Sequence, residues 1–273
     1  MKHWVTSRDG EGVVIARFAN PPMNYFCADA AVELGELIAQ WQAPDVRCVI
    51  IAGATSAQFI THYSVEELVA FASDRDAKDR IGTALSDGYH ALLQSLQALP
   101  VPVIAAIGGD CMGGGLELAL WCDLRVAQAG DFRIGLPEVL MGIMPGGSGT
   151  QTLTRMLGSA KALELVLTGR LLDPEEALRA GLVNAVAKDC VASALEVARR
   201  LSAFNPVALR EIKAAICRGG ALDLRDGLAA EARGFLAVAD TEAAVAGMRA
   251  YVDVSPAARR RYLEERVALR YPD

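Results

Sequence analysis

Three short runs of apolar, β-branched residues punctuate the chain: GVVIARF at 12–18, VRCVIIA at 46–52 and VIAAI at 103–107. Each is bounded by turn-forming residues, the pattern of a β-strand. The second and third are apolar nearly throughout, with only Arg47 interrupting, which predicts strands covered on both faces of an interior sheet. Between the runs, apolar residues recur with helical spacing. One helix is predicted over 29–41, after the Asn20-Pro21-Pro22 turn and before Pro44-Asp45, and another over 82–99, stopped by Pro100 and Pro102. The stretch 61–80 is polar and mixed.

The third strand runs into Gly108-Gly109-Asp110-Cys111-Met112-Gly113-Gly114-Gly115 and then a helix over 116–122, so a glycine-rich turn opens a helix. Short strands are predicted over 123–127 and 131–134, followed by a second glycine cluster at 145–151. From Phe204 the chain is rich in Ala, Arg, Leu and Glu, with helical patterning through Arg233 and again over 259–270. The alternation of strands and helices predicts an α/β core over 1–200 and a helical C-terminal region over 201–273, without repeats or low-complexity linkers.

Composition narrows the function classes. With 273 residues, 52% hydrophobic and 22% charged, the chain can bury a substantial core. Its 27 Lys and Arg against 33 Asp and Glu leave a net charge of −6, which gives no overall electrostatic reason for binding nucleic acid or an anionic membrane. Six scattered cysteines without a CxxC pair, and three dispersed histidines, indicate neither a metal site nor a disulfide framework, and reduced thiols fit a cytoplasmic compartment. The N-terminus lacks the apolar stretch of a secretory signal, and no apolar run approaches the roughly 20 residues of a membrane-spanning helix.

Gly113, Gly114 and Gly115 sit where a helix N-terminus presents unpaired N–H groups and a positive dipole end, a geometry able to bind an oxyanion. A triple glycine is also the mark of a tight strand-to-helix turn. The segment matches neither GxGxxG nor a phosphate loop ending in GK[ST], so nucleotide cradling is not indicated. Glu117, among Leu and Ala in the first helical turn, either complements the dipole or turns its carboxylate into a restricted cleft. Glu138 lies in another apolar segment, exposed on the surface or costly to ionise. Two such carboxylates beside glycine turns can have their pKa values pushed apart and divide acid and base roles. Ser148 fails the nucleophile-elbow pattern because Thr150 stands where its last glycine belongs, and it reads as structural. His3, His62 and His90 lie outside triad motifs, and His62 reads as a solvent-facing or packed loop residue.

Taken in order, Asn20-Pro21-Pro22-Met23-Asn24, CVIIAG at 48–53, the 103–123 block with GGGLELAL, LPEVLMGIMPGGSGTQ at 136–151, and LTGR at 167–170 through AGLV at 180–183 resemble the crotonase superfamily, the enoyl-CoA hydratase/isomerase family. The resemblance implies a ClpP/crotonase-like spiral of repeated ββα units, with C-terminal helices that trimerise the protein, often as a dimer of trimers. It also implies an acyl-CoA thioester substrate, with coenzyme A as part of that substrate and no separate cofactor or metal.

In this family two backbone N–H groups hold the thioester oxygen and lower the energy of an enolate-like intermediate. Gly114 matches one donor position and Tyr63 the other. The loop around Tyr63 departs from the family pattern of a small residue, Gly, the donor and then Asp. Here Thr61-His62-Tyr63-Ser64 puts bulk at the glycine position and lacks the acid. Thr61, His62, Gly113 and Gly146 fall at substrate-binding positions. Glu117 and Glu138 match both acid/base positions of the hydratases, which implies addition of water to a trans-2-enoyl-CoA. Glu117 would orient and deprotonate water attacking C3, and Glu138 would deliver a proton to C2. The alternatives are a double-bond isomerase or another acyl-CoA transformation using one Glu, and a non-catalytic acyl-CoA-binding protein. Tyr63, Phe71 and Tyr89 are candidate acyl-pocket walls, and Arg17, Lys78 and Arg80 candidate partners of the CoA phosphates.

Overall fold

The computed structural model describes residues 1–55 and 57–268. These residues form strands β1 (Trp4–Arg8), β2 (Val13–Phe18), β3 (Cys48–Gly53), β4 (Val103–Ile107), β5 (Cys111–Met112), β6 (Leu124–Gln128), β7 (Ile134–Gly135) and β8 (Ala185–Ala187). One sheet has the order β1-β2-β3-β4-β6-β8, antiparallel between β1 and β2 and parallel elsewhere. A second, two-stranded parallel sheet pairs β5 with β7.

Strand side chains alternate between faces, so the unbroken apolar runs supply two cores at once. Val14, Val49, Ile51 and Val103 face one side, packed under Ala28–Gln40, Ala84–Gln97 and the short helix Gly114–Leu120. Val13, Cys48, Ile50 and Ile104 face the other, covered by helix Cys190–Ser202. The predicted strands at 12–18, 46–52 and 103–107 and the helices at 29–41 and 82–99 all form, with ends shifted by at most two residues.

Other elements depart from the pattern. β1 is an edge strand in which only Trp4 is buried, so alternation could not signal it. The mixed stretch 61–80 holds two helices, Val65–Ser73 and Arg75–Ile81, nucleated by side-chain caps from Ser64 and Asp74. The strand predicted over 131–134 contracts to β7, because Asp131 and Arg133 turn outward and pair with each other. The C-terminal region forms Pro206–Cys217, Leu224–Ala239, Glu242–Asp253 and Arg259–Glu264; the helix predicted over 259–270 stops at Glu264, and positions 269 and 270 lie outside the described residues. No helix among the described residues is long and apolar enough to cross a membrane.

The loops leaving the carboxyl ends of β3 and β4 meet beyond the edge of the sheet, where open parallel sheets place their ligands.

Candidate active site

Close backbone contact joins these two loops. A Cβ on Gly109 would stand 2.5 Å from the Ala57 carbonyl oxygen, and one on Gly115 would stand 2.0 Å from that of Ile60. The loop after β3 is then pinned residue by residue. Buried Asn24 donates its side-chain amide to the Phe59 carbonyl, and its own carbonyl accepts the Thr61 N–H at 3.2 Å. The Thr61 hydroxyl donates to the Met23 carbonyl at 2.6 Å, and the Phe26 N–H to that of His62 at 2.8 Å.

The two unusual residues find local roles. His62 stacks on Tyr25 with ring centroids 4.1 Å apart, while its Nδ1 donates to the Tyr63 carbonyl at 2.6 Å. Ser64 Oγ accepts the Glu67 N–H and caps the start of the following helix. Tyr63 N lies 3.3 Å from the point a Cβ would occupy on Gly114. Among the described residues neither the Tyr63 nor the Gly114 N–H donates a hydrogen bond, and together they form a two-donor pocket for an anionic oxygen. Gly113, at φ of +47°, makes the turn that aims the Gly114 N–H.

Glu117 follows one turn into the same buried helix. Its Oε1 accepts the N–H groups of Gly147 at 2.8 Å and Gly149 at 2.7 Å. Ser148 between them adopts φ of +88°, which brings both N–H groups to one side as an anion-binding nest. The Trp121 indole N–H donates to Ser148 Oγ at 2.6 Å and holds that turn. Burial nevertheless outweighs these donors: it pushes the Glu117 carboxyl up to about 7, with the charge of Glu138 adding to the rise and the Gly149 and Gly147 N–H groups opposing it.

Glu138 begins the 3-10 turn Glu138–Met141. Its Oε1 lies 3.1 Å from the point a Cβ would occupy on Gly113, and its Oε2 is buried with no hydrogen-bond partner among the described residues. Burial raises its pKa as well. An unpaired buried carboxylate oxygen is destabilising, and its place beside the two-donor pocket suits a group that exchanges a proton with a bound molecule. Arg125 fixes the far end of the Glu117 helix: its buried guanidinium donates to the carbonyls of Ala119, Cys122 and Leu182.

The structure thus gathers Tyr63, Gly113, Gly114, Glu117 and Glu138, with Thr61 and His62 on the same loop. Gly146 is exposed beside the nest, its carbonyl accepting His90 Nε2 at 2.9 Å. Tyr63 and Tyr89 meet edge to face, whereas no ring contact among the described residues joins Phe71 to them. Of the candidate cations, Arg17 and Lys78 already serve backbone carbonyls, those of Gly53 and Ala72. Sequence reasoning missed Gly147 and Gly149 as Glu117 donors. Their glycine cluster was visible, but the direction of its N–H groups depends on the backbone at Ser148. No group of three His, Cys, Asp or Glu side chains among the described residues is placed to hold a metal ion.

The parallel sheet, the two-donor pocket and the paired buried carboxylates sit on the fold of the crotonase-family enoyl-CoA hydratases. The chain matches the enoyl-CoA hydratase/isomerase family over residues 8–258 and belongs to that family. It is 39% identical over 209 residues to YngF of Bacillus subtilis, which is named for the same family, covering 76% of this chain and 78% of that protein. It is also 39% identical over 186 residues to the fatty acid oxidation complex subunit alpha of Shewanella putrefaciens, of which it spans only 26%. Among solved structures, enoyl-CoA hydratase from Geobacillus kaustophilus superposes with a TM-score of 0.85 at 29% identity, covering 92% of this chain and 94% of that one. The Bacillus anthracis enoyl-CoA hydratase gives 0.83 at 30% identity, with 92% and 96% covered.

Proposed function

We propose that the protein is an enoyl-CoA hydratase, adding water across the double bond of a trans-2-enoyl-CoA. The observation that carries this is the pair of buried, electrostatically coupled carboxylates, Glu117 and Glu138, beside the two free N–H groups. Tyr63 and Gly114 receive the thioester oxygen, and each donor contributes on the order of a hundredfold in rate when charge develops there. Water adds through its oxygen to C3 while Glu117 takes its proton, and the C2–C3 π electrons move onto the thioester oxygen. The enolate then collapses by taking a proton at C2 from Glu138. Burial suits both roles, since it raises the pKa of both carboxyls, which favours a proton held on Glu138 and gives Glu117 the basicity to accept one.

Double-bond isomerisation uses the same pocket and needs one carboxylate, so the second buried Glu favours hydration. A non-catalytic binding protein has no use for either. Incubation with crotonyl-CoA followed by mass spectrometry tests the proposal: hydration adds one water's mass, isomerisation adds none, and Glu117→Gln should abolish the change while leaving the fold intact.

We further place residues 201–273 as a trimerisation region, in a homotrimer or dimer of trimers. Leu224, Phe235, Leu236 and Val252 are exposed on its helices. The chain's accessible surface of 14445 Å² also exceeds the roughly 11,400 Å² of a compact monomer of this mass. Free cysteines throughout fit a cytoplasmic setting.

A further inference from the structure

Tyr89 has no role in the chemistry above, yet its ring lies alongside the reacting groups. Its hydroxyl donates to the Gly114 carbonyl at 2.8 Å, at the two-donor pocket. Its other edge reaches the Glu117 carboxylate: Cε1 and Cδ1 lie 2.5 and 2.6 Å from the point a Cβ would occupy on Gly147, and Glu117 Oε2 lies 2.4 Å from that same point. The ring therefore bridges Gly114 and the nest that holds Glu117, the neighbourhood in which the reacting carbons of a bound acyl thioester would lie.

The ring is braced by two aromatic neighbours. Phe26, fully buried, lies 5.9 Å from it centroid to centroid, and Tyr63 meets it edge to face at 6.2 Å. Tyr63 is itself held by its hydroxyl, which donates to Glu67 Oε2 at 2.7 Å, and by Phe26 at 6.3 Å. Neither tyrosine can swing aside without leaving a hydroxyl and its acceptor unpaired.

We propose that Tyr89, braced by Tyr63 and Phe26, closes the acyl pocket just past the reacting carbons and restricts the substrate to short, straight 2-enoyl thioesters of crotonyl size. Tyr89 acts as a specificity residue. An aromatic or long acyl group needs the space that its ring fills. The inference rests on the acyl-thioester reading of the site, and binding of unreactive saturated thioesters separates its failure from the failure of hydration.

The test is calorimetric titration of butyryl-, hexanoyl- and octanoyl-CoA into the wild-type protein, Tyr89→Ala, Tyr89→Phe and Tyr63→Ala. An open apolar channel tightens binding about fourfold per methylene. The wild type should gain nothing from butyryl to octanoyl, and Tyr89→Phe, which keeps the ring, should behave alike. Tyr89→Ala should raise the octanoyl-to-butyryl affinity ratio at least tenfold, in line with the worth of pocket methylenes to specificity, and Tyr63→Ala should move it the same way. If Tyr89→Ala does not fold, Tyr89→Leu opens the same wall with less lost packing. Wild-type affinity climbing fourfold per methylene, or no change of the ratio in any folded wall variant, overturns the proposal. The predicted ladder without turnover of crotonyl-CoA would leave the wall standing and remove hydration alone.

Discussion

Gly115 and Ile60 touch backbone to backbone: the α-carbon of Gly115 faces the Ile60 carbonyl so closely that a Cβ would stand 2.0 Å from its oxygen. That contact holds together the loops that carry the free Gly114 and Tyr63 N–H groups, because Gly114 precedes one partner and Tyr63 follows the other by three residues. Gly115→Ala must push the loops apart. Displacements of this size misalign a catalytic constellation, so kcat/KM should fall about a hundredfold or more. Stability should drop by roughly 2 kcal/mol or more as the overpacked backbone shifts. Thermal melts and steady-state kinetics with crotonyl-CoA check both, and a variant with unchanged melting and activity would show that the loops are not braced here.

The raised pKa of Glu117 makes stability depend on pH. Its carboxyl titrates near 7 in the folded protein and near 4.5 unfolded. The folded state thus holds the extra proton between those values, and the group's contribution falls as pH rises from about 4.5 to 7 and is level above. Glu117→Gln keeps an acceptor for Gly147 and Gly149 but cannot ionise. Its stability relative to the wild type should improve from pH 5 to pH 8, by at most on the order of 3 kcal/mol. Denaturant melts at the two pH values measure this, and a pH-independent difference would place the raised pKa elsewhere.

The same titration governs rate. Glu117 must be ionised to accept water's proton, so kcat/KM should climb with pH on a limb centred near 7. Loss of the Glu138 proton destined for C2, which burial makes harder, opposes this rise. Glu138→Gln should remove most of the activity. A profile flat from pH 5 to pH 9 contradicts the assignment of roles.

His62 tests whether the unusual loop is built by backbone or by side chain. Its bond to the Tyr63 carbonyl and its stack on Tyr25 are local, while the Thr61, Phe26 and Asn24 bonds hold the loop independently. His62→Gly should therefore cost about 1 kcal/mol of stability and less than tenfold in kcat. A loss of several hundredfold would mean that the imidazole itself shapes the pocket.

Much of this architecture was legible in the chain. The apolar run of β2 announced a strand, those of β3 and β4 announced strands buried on both faces, and Gly113-Gly114-Gly115 marked a tight strand-to-helix turn with Glu117 in the helix it opens. What escaped depends on partners distant in sequence. β1 is exposed at every residue after Trp4, and helix Val65–Ser73 buries no residue fully, so neither carries a strong period. The donors to Glu117 come from residues 30 and 32 positions away and hinge on the backbone of Ser148. Tyr89 reaches the site only because its helix packs beside the 145–149 segment, as the His90 bond to Gly146 records.

The most direct test of water addition is turnover of crotonyl-CoA in water enriched in heavy oxygen, with the product fragmented to locate the label. Hydration by this site predicts one heavy oxygen at C3 of a 3-hydroxyacyl-CoA, formed by the wild type and not by Glu117→Gln or Glu138→Gln. Bound crotonyl-CoA that gains no label, or label that persists undiminished in both variants, would contradict it.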